Sequence, residues 1–217
     1  MKRLVAVVLF ALLAASCGRQ EPASPLDAMP ETGMVQIVVA DPAMLMANLD
    51  GYIEGGVPIA GPDLVAGLLL SATGCENMDS LAALTGIDVH GNTIVYAAGV
   101  NPQGIGAAAQ LVDAEAFWAY FTELGAEWVE AEPIEGAVVK TIEGGDMPLT
   151  VATYRNVVLM AGSRAEILAM IDRIEGRAPH AAIAPLPGSM WVKAAVTAFG
   201  PLVARQLGLS RSEILAG

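Results

Sequence analysis

The chain has 217 residues, enough for one medium domain with a sizeable core. Hydrophobic residues make up 54% and charged residues 16%, which excludes a disordered chain. With 11 Lys+Arg against 23 Asp+Glu the formal charge is −12, and no basic cluster offsets it locally, which excludes nucleic acid as a partner.

Lys2 and Arg3 open the chain. Leu4 to Ala15 follows as an uncharged run of 12 residues, the length of a signal h-region and short of the ~20 residues of a membrane span. Ala14, Ala15 and Ser16 then lead into Cys17. Small residues directly before a cysteine resemble the lipobox of bacterial lipoproteins, with Ala14 where Leu is commoner. The resemblance implies a signal peptide over residues 1–16, lipid attached to Cys17, and cleavage before it. Gly18, rather than Asp, after the cysteine implies the outer membrane, facing the periplasm. Several acyl chains at roughly 0.8 kcal/mol per buried CH₂ would make that anchor durable. An ordinary secretory signal, with Cys17 incidental, is the alternative. Removing Lys2 and Arg3 takes the formal charge from −12 to −14.

Residues 17–33 hold Pro22, Pro25 and Pro30 among small and polar residues, with no apolar period. They read as a flexible tether. Residues 34–217 read as one α+β domain, divisible into related halves at about 34–103 and 104–200.

A strand, a capping residue and an amphipathic helix recur in that domain. In the first copy Val35 to Ala40 suits a strand, Asp41 the N-cap and Pro42 the first helical position, with Leu45, Leu49, Tyr52 and Ile53 on one face. In the second, Asp113 caps a helix with a stripe of Phe117, Tyr120, Phe121 and Leu124, ended by Gly125. In the third, Ser163 and Glu166 have capping-box spacing, Ile167, Met170, Ile171 and Ile174 form the stripe, and Gly176 ends it. The apolar positions four and eight residues after each cap predict that the three helices sit alike on their preceding strands. A weaker fourth copy starts at "SMWVKAAVTAFGPLVARQLG".

Other elements fall between these copies. "DLVAGLLLSA" reads as a buried helix, or as an exposed apolar one that meets a partner or lipid. "MDSLAALTG" reads as a short helix and "NTIVYAAGV" as a strand. "EWVEAE", "GAVVKTIE", "PLTVATY" and "NVVLMAG" read as four strands, with hairpin turns at Gly144-Gly145-Asp146 and Arg155-Asn156. Links that short require antiparallel pairing. The fold class is therefore α+β: a mostly antiparallel sheet packed on one face by amphipathic helices, with irregular strand-cap-helix repeats. Near the end, Ser210 and Glu213 have the spacing of a helix start with only four residues to follow, which reads either as a frayed turn or as a truncated copy of a longer protein.

"VVADPAMLMANLD", "FTELGAEW" and "NVVLMAGSRAEILAMI" resemble an uncharacterised family of bacterial envelope proteins, a domain of unknown function, over roughly residues 34–200. The resemblance implies a fold and an envelope location, and no activity.

Signatures of chemistry are weak throughout. Gly104, Gly106 and Ala109 have the G-x-G-x-x-A spacing of a dinucleotide loop, but no helix opens there, and a turn and strand fit better. His90 and His180 lack metal-ligand spacing and read as solvated loop residues. Cys75 has no partner once Cys17 is acylated. Glu130 and Glu132 would share a strand face within an acidic stretch of Glu123, Glu127, Glu130, Glu132, Glu135, Glu143 and Asp146. A solvated face is the plain reading; a weak Ca²⁺ site or a carboxylate pair is the sharper one. Met44 and Met46 are two apart on a helix and diverge, which disfavours a Cu(I) pair. No catalytic residue, metal site or cofactor is assigned. The expected function is a lipid-anchored envelope protein without catalysis, binding a protein partner or serving structurally. The alternative is a carrier of an apolar ligand such as lipid, and third an envelope hydrolase with an unfamiliar site.

Overall fold

Residues 22–56, 64–99, 101–142 and 148–195 are described by a computed structural model. Eight strands form one sheet: β1 (Val35–Ala40), β2 (Asn92–Ala97), β3 (Ile105–Gln110), β4 (Trp128–Glu130), β5 (Val138–Ile142), β6 (Leu149–Tyr154), β7 (Val157–Ala161) and β8 (Ser189–Ala194). Their order is β4-β5-β6-β7-β3-β2-β1-β8, and every pairing is antiparallel. The expected α+β class and antiparallel sheet are what the chain adopts. The last strand pairs with the first and β3 pairs with β2, so the two expected halves interleave in one sheet.

Among the described residues five α-helices accompany the sheet: α1 (Pro42–Gly56), α2 (Leu64–Thr73), α3 (Met78–Thr85), α4 (Ala114–Glu123) and α5 (Arg164–Ile174). The caps form from local chemistry. The Asp113 carboxylate accepts from the N–H groups of Glu115 and Ala116 at 2.8 and 3.0 Å. The Ser163 hydroxyl accepts from Glu166 N–H at 3.3 Å, and Asn77 with Ser80 closes a reciprocal box on α3. Gly125 and Gly176 adopt positive φ just beyond their helices. The Arg155-Asn156 turn has φ of 46° and 61°, the left-handed pair a tight two-residue hairpin demands.

Strand alternation divides the core. On one face Val38, Ile94, Ala108, Ala152, Val157 and Leu159 pack beneath Ile167, Met170 and Ile171 of α5. On the other, Ala109, Val151 and Val158 meet Phe117 of α4, with Trp118, Phe121 and Trp128 around it. Helical cover therefore reaches both faces rather than one. Phe117 is fully buried, which stabilises by roughly 1.5–3 kcal/mol. Leu124, expected in the same stripe, is 65% exposed because α4 has ended before it.

Three expectations need correction. The tether does not extend to residue 33. Ser24 caps a 3₁₀ turn over Pro25–Ala28, and Ala23, Ala28 and Met29 are buried in the main core. The prolines that suggested a spacer include Pro25, whose fixed φ suits the first position of that turn. Next, the three helices do not sit alike on their preceding strands: α5 packs on β7, α4 packs chiefly on α3, and α1 packs chiefly on α2, with Leu49 43% exposed. Finally, Glu166 does not close a capping box, because its carboxylate is engaged elsewhere.

In α2, Leu70 is half-buried while Ser71 and Ala72 are exposed. Among the described residues no helix is long and apolar enough to cross a membrane. The signal segment, Cys17, the Gly144-Gly145-Asp146 turn, the helix of the weaker fourth copy and the Ser210 start lie outside the described residues.

Candidate functional site

Among the described residues, the face that carries α4 is covered only in part. Beyond that helix it presents a continuous set of aliphatic side chains. Val95 on β2, Ile105 on β3, Leu149 on β6, and Met190 and Val192 on β8 are 41%, 42%, 37%, 59% and 54% exposed. Val35, Ile37 and Val39 of β1 lie between them and are half-buried. Strand register places all of these on one side, since Val192 opposes Ile37 and Ile37 opposes Val95. At the edge of this patch Ile105, Ala107, Pro148, Leu149, Met160, Ala161 and Gly162 line an open cavity of about 270 Å³. Its lining is almost wholly apolar, so it offers shape and hydrophobic contact without a group that could polarise a substrate.

The opposite face holds a buried polar cluster. Arg173 on α5 donates from Nε to the Ala28 carbonyl at 2.7 Å, and from Nη2 to Tyr96 Oη at 2.6 Å and Glu166 Oε1 at 2.8 Å. The Tyr96 hydroxyl also donates to Glu166. Burial pushes the Tyr96 phenol above its usual range, and its bond to Glu166 adds to that. Gly106 opposes Tyr96 across β2 and β3, and a Cβ there would lie 2.4 Å from the ring. The tyrosine thus uses the space that a side chain would occupy. Gln36, fully buried beside this cluster, donates from Nε2 to the Pro30 carbonyl.

These contacts fasten the N-terminal segment to the domain. Ala23 N–H donates to the Arg155 carbonyl at 3.2 Å, and Ala181 N–H donates to the Met29 carbonyl at 3.0 Å. Sequence reading missed the cluster. One available signal was the spacing of Glu166 and Arg173, seven residues and two turns apart on one helix. Gln36 gave another, because alternation puts it on the same side as Val38 and Ala40.

The candidate residues do not come together. Glu130 is 3.4 Å from Lys140, which also lies over the Trp118 ring, while Glu132 lies beyond the end of β4 and is 3.5 Å from Arg164. The two carboxylates are separately paired and share no strand face. His90 bonds to Asp41 at 3.1 Å, and His180 lies 3.8 Å from Asp27. Both histidines are solvent-exposed. Cys75 is a free thiol of intermediate exposure. Gly104 ends a 3₁₀ turn, and Gly106 and Ala109 lie in β3, so no helix opens after the glycine-rich stretch. Met44 is exposed and Met46 half-buried. Among the described residues no three His, Cys, Asp or Glu side chains converge as a metal site.

No protein-family model and no curated protein matches the chain. The resemblance noted over residues 34–200 rests on its quoted motifs alone. Among solved structures, crystal form I of TP0453 is 11% identical, with a TM-score of 0.48 over 87% of this chain and 68% of that one. Crystal form III of TP0453 is 11% identical, with a TM-score of 0.43 over 75% of this chain; the chain spans 55% of that protein's length. Likenesses at this level carry no argument about function.

Proposed function

We propose that this chain is a lipid-anchored, non-catalytic binding module of the bacterial envelope, held through Cys17 in the outer membrane and facing the periplasm. Its working surface is the open part of the sheet. The observation that carries this reading is the single-sided set of Val95, Ile105, Met190 and Val192, each more than 40% exposed. Contiguous apolar surface of this kind marks an interaction site, because leaving it in water is costly. The partner is a protein with a matching apolar surface. The 270 Å³ cavity falls just below the usual range for a whole small-molecule site, and suits one large side chain as an anchor. The Lys2–Arg3 start, the apolar run and the Ala-Ala-Ser-Cys step support the anchor.

A photo-crosslinking residue at Met190, in intact cells, should give a discrete protein adduct that Val95→Asp weakens. The same probe at Leu168, on the exposed side of α5, should not. Matching adducts at both positions, or none at Met190, would refute the reading. The apolar lining of the cavity favours one second reading, carriage of an apolar ligand such as lipid. Native mass spectrometry of the protein extracted from membranes would then retain a lipid beyond the acyl groups on Cys17.

A further inference from the structure

We infer that the β6–β7 hairpin end of the sheet faces the anchoring bilayer, so that the apolar cavity opens at the end turned away from it. The inference rests on the reading of Cys17 as the lipidated residue. Its structural basis is where the chain becomes fixed. Only five peptide steps separate Cys17 from Pro22, a reach of at most about 18 Å. From Ala23 onward there is no slack. Ala23 N–H is bonded to the carbonyl of Arg155, in the β6–β7 turn, and Ala28 and Met29 are buried under α5. The lipid therefore pulls on the hairpin end and on no other part of the domain.

The surface at that end suits a headgroup layer. Arg155 and Arg177 both pair with Glu175 there, at 2.9 and 3.9 Å, and Arg177, 58% exposed, also pairs with Asp172 at 2.8 Å, so the two cations are matched by two carboxylates. Val112, whose neighbour Leu111 is bonded to the Asn156 carbonyl, and Val138 are 57% and 50% exposed. A charge-balanced polar cluster with flanking aliphatic side chains can rest against a zwitterionic headgroup layer, the aliphatic stems facing it. Ile105, Leu149 and Gly162, which line the cavity, lie at the other ends of β3, β6 and β7. The cavity mouth is thus about one strand length, ~15–20 Å, farther from the anchor. A partner reaches it from the aqueous side, and lipid of the anchoring leaflet does not.

The test uses the full chain matured in a bacterial membrane, in a Cys75→Ser background, reconstituted into phosphatidylcholine vesicles with an acceptor dye on a fraction of the headgroups. Donor dyes are placed in separate variants at Val112→Cys and Gln103→Cys, which flank β3. Energy transfer should put position 112 nearer the headgroup plane than 103 by more than about 10 Å, of the ~20 Å that the strand and its flanks span. A linker of about fifteen Gly/Ser residues inserted after Glu21 should largely abolish the difference. Equal distances, or 103 nearer, in protein whose intact mass shows acylated Cys17 would overturn the orientation alone. An intact mass without acyl groups would overturn the lipidation reading, and the orientation with it.

Discussion

Replacing Arg173 with Met keeps the aliphatic bulk of the side chain and removes its charge. The Arg173 and Glu166 side chains are 10% and 18% exposed, so the variant leaves a carboxylate nearly buried without its cation. Breaking a buried pair from one side costs about 3–5 kcal/mol, and the residual exposure of Glu166 places this case near 3. For a chain of this size about 3 kcal/mol corresponds to a fall in Tm of about 10 °C. The Ala28 carbonyl and the Tyr96 hydroxyl lose a donor at the same time. Urea denaturation with linear extrapolation measures the global loss, and hydrogen exchange at the amides of Ala23 and Met29 reports local release of the N-terminal segment. The companion variant Glu166→Gln with Arg173→Met should recover half or more of the loss, since the stranded charge is then gone. A cost below about 1 kcal/mol for Arg173→Met would refute the account. So would a double variant no more stable than the single, because the damage would then be lost packing rather than an unpaired charge.

Gly106→Ala places a methyl group 2.4 Å from the Tyr96 ring, and a ring held by Glu166 and Arg173 has little freedom to move. Calorimetry should register a loss of about 1–3 kcal/mol, and Tyr96→Ala in the same chain should make the effect non-additive. The alkaline limb of stability tests the buried phenol. The folded-state pKa of Tyr96 is raised above its ordinary 10.0, so the protonated form holds tighter in the folded chain. Its contribution is complete below pH 10 and is lost as pH rises through 10 toward the folded value. Stability should therefore fall as pH rises above 10, and Tyr96→Phe should flatten that slope, with equal slopes counting against the assignment. Asp113→Ala removes an acceptor for two N–H groups at the start of α4 and should cost about 1 kcal/mol by thermal melting.

What the sequence disclosed is what local chemistry decides. Asp113, Ser163, Gly125, Gly176 and the Arg155-Asn156 turn each act within a few residues of themselves, and each is where its neighbours imply. The 3₁₀ turn over Pro25–Ala28 was hidden, because four residues carry no period and three nearby prolines imitate a spacer. The return of β8 to β1 was hidden for a different reason: it joins positions about 150 residues apart, and no local propensity encodes such a pairing. Glu166 shows a local signal that was half right. Its N–H does bond to Ser163, but its carboxylate turns to Tyr96 and Arg173, partners that only the packed sheet supplies.

β1 explains why the candidate surface could not be read in advance. Its sequence, "VQIVVA", offers two sides: Val35, Ile37 and Val39, or Gln36, Val38 and Ala40. Hydrophobicity alone would bury the first set. The chain buries the second, with Gln36 and Val38 at 0% exposure and Ala40 at 3%, and leaves the first half-open. Both halves of that choice oppose the hydrophobic effect when each is considered alone. They are reconciled by what each side meets. Gln36 donates from Nε2 to the Pro30 carbonyl at the point where the N-terminal segment joins the sheet, while its Oε1 is buried without a hydrogen-bond partner. Val35, Ile37 and Val39 border Val95 on one side and Met190 and Val192 on the other, in a patch that no charged side chain of β1 or β2 interrupts. A register slip of one residue would bury the valines, but it would also drive Gln36 into the open patch and break its bond to Pro30. The bond from Gln36 to Pro30 is thus one contact that the observed register keeps and a one-residue slip would lose. Substituting Gln36 should alter the exposure of the apolar surface as well as the hold on the N-terminal segment.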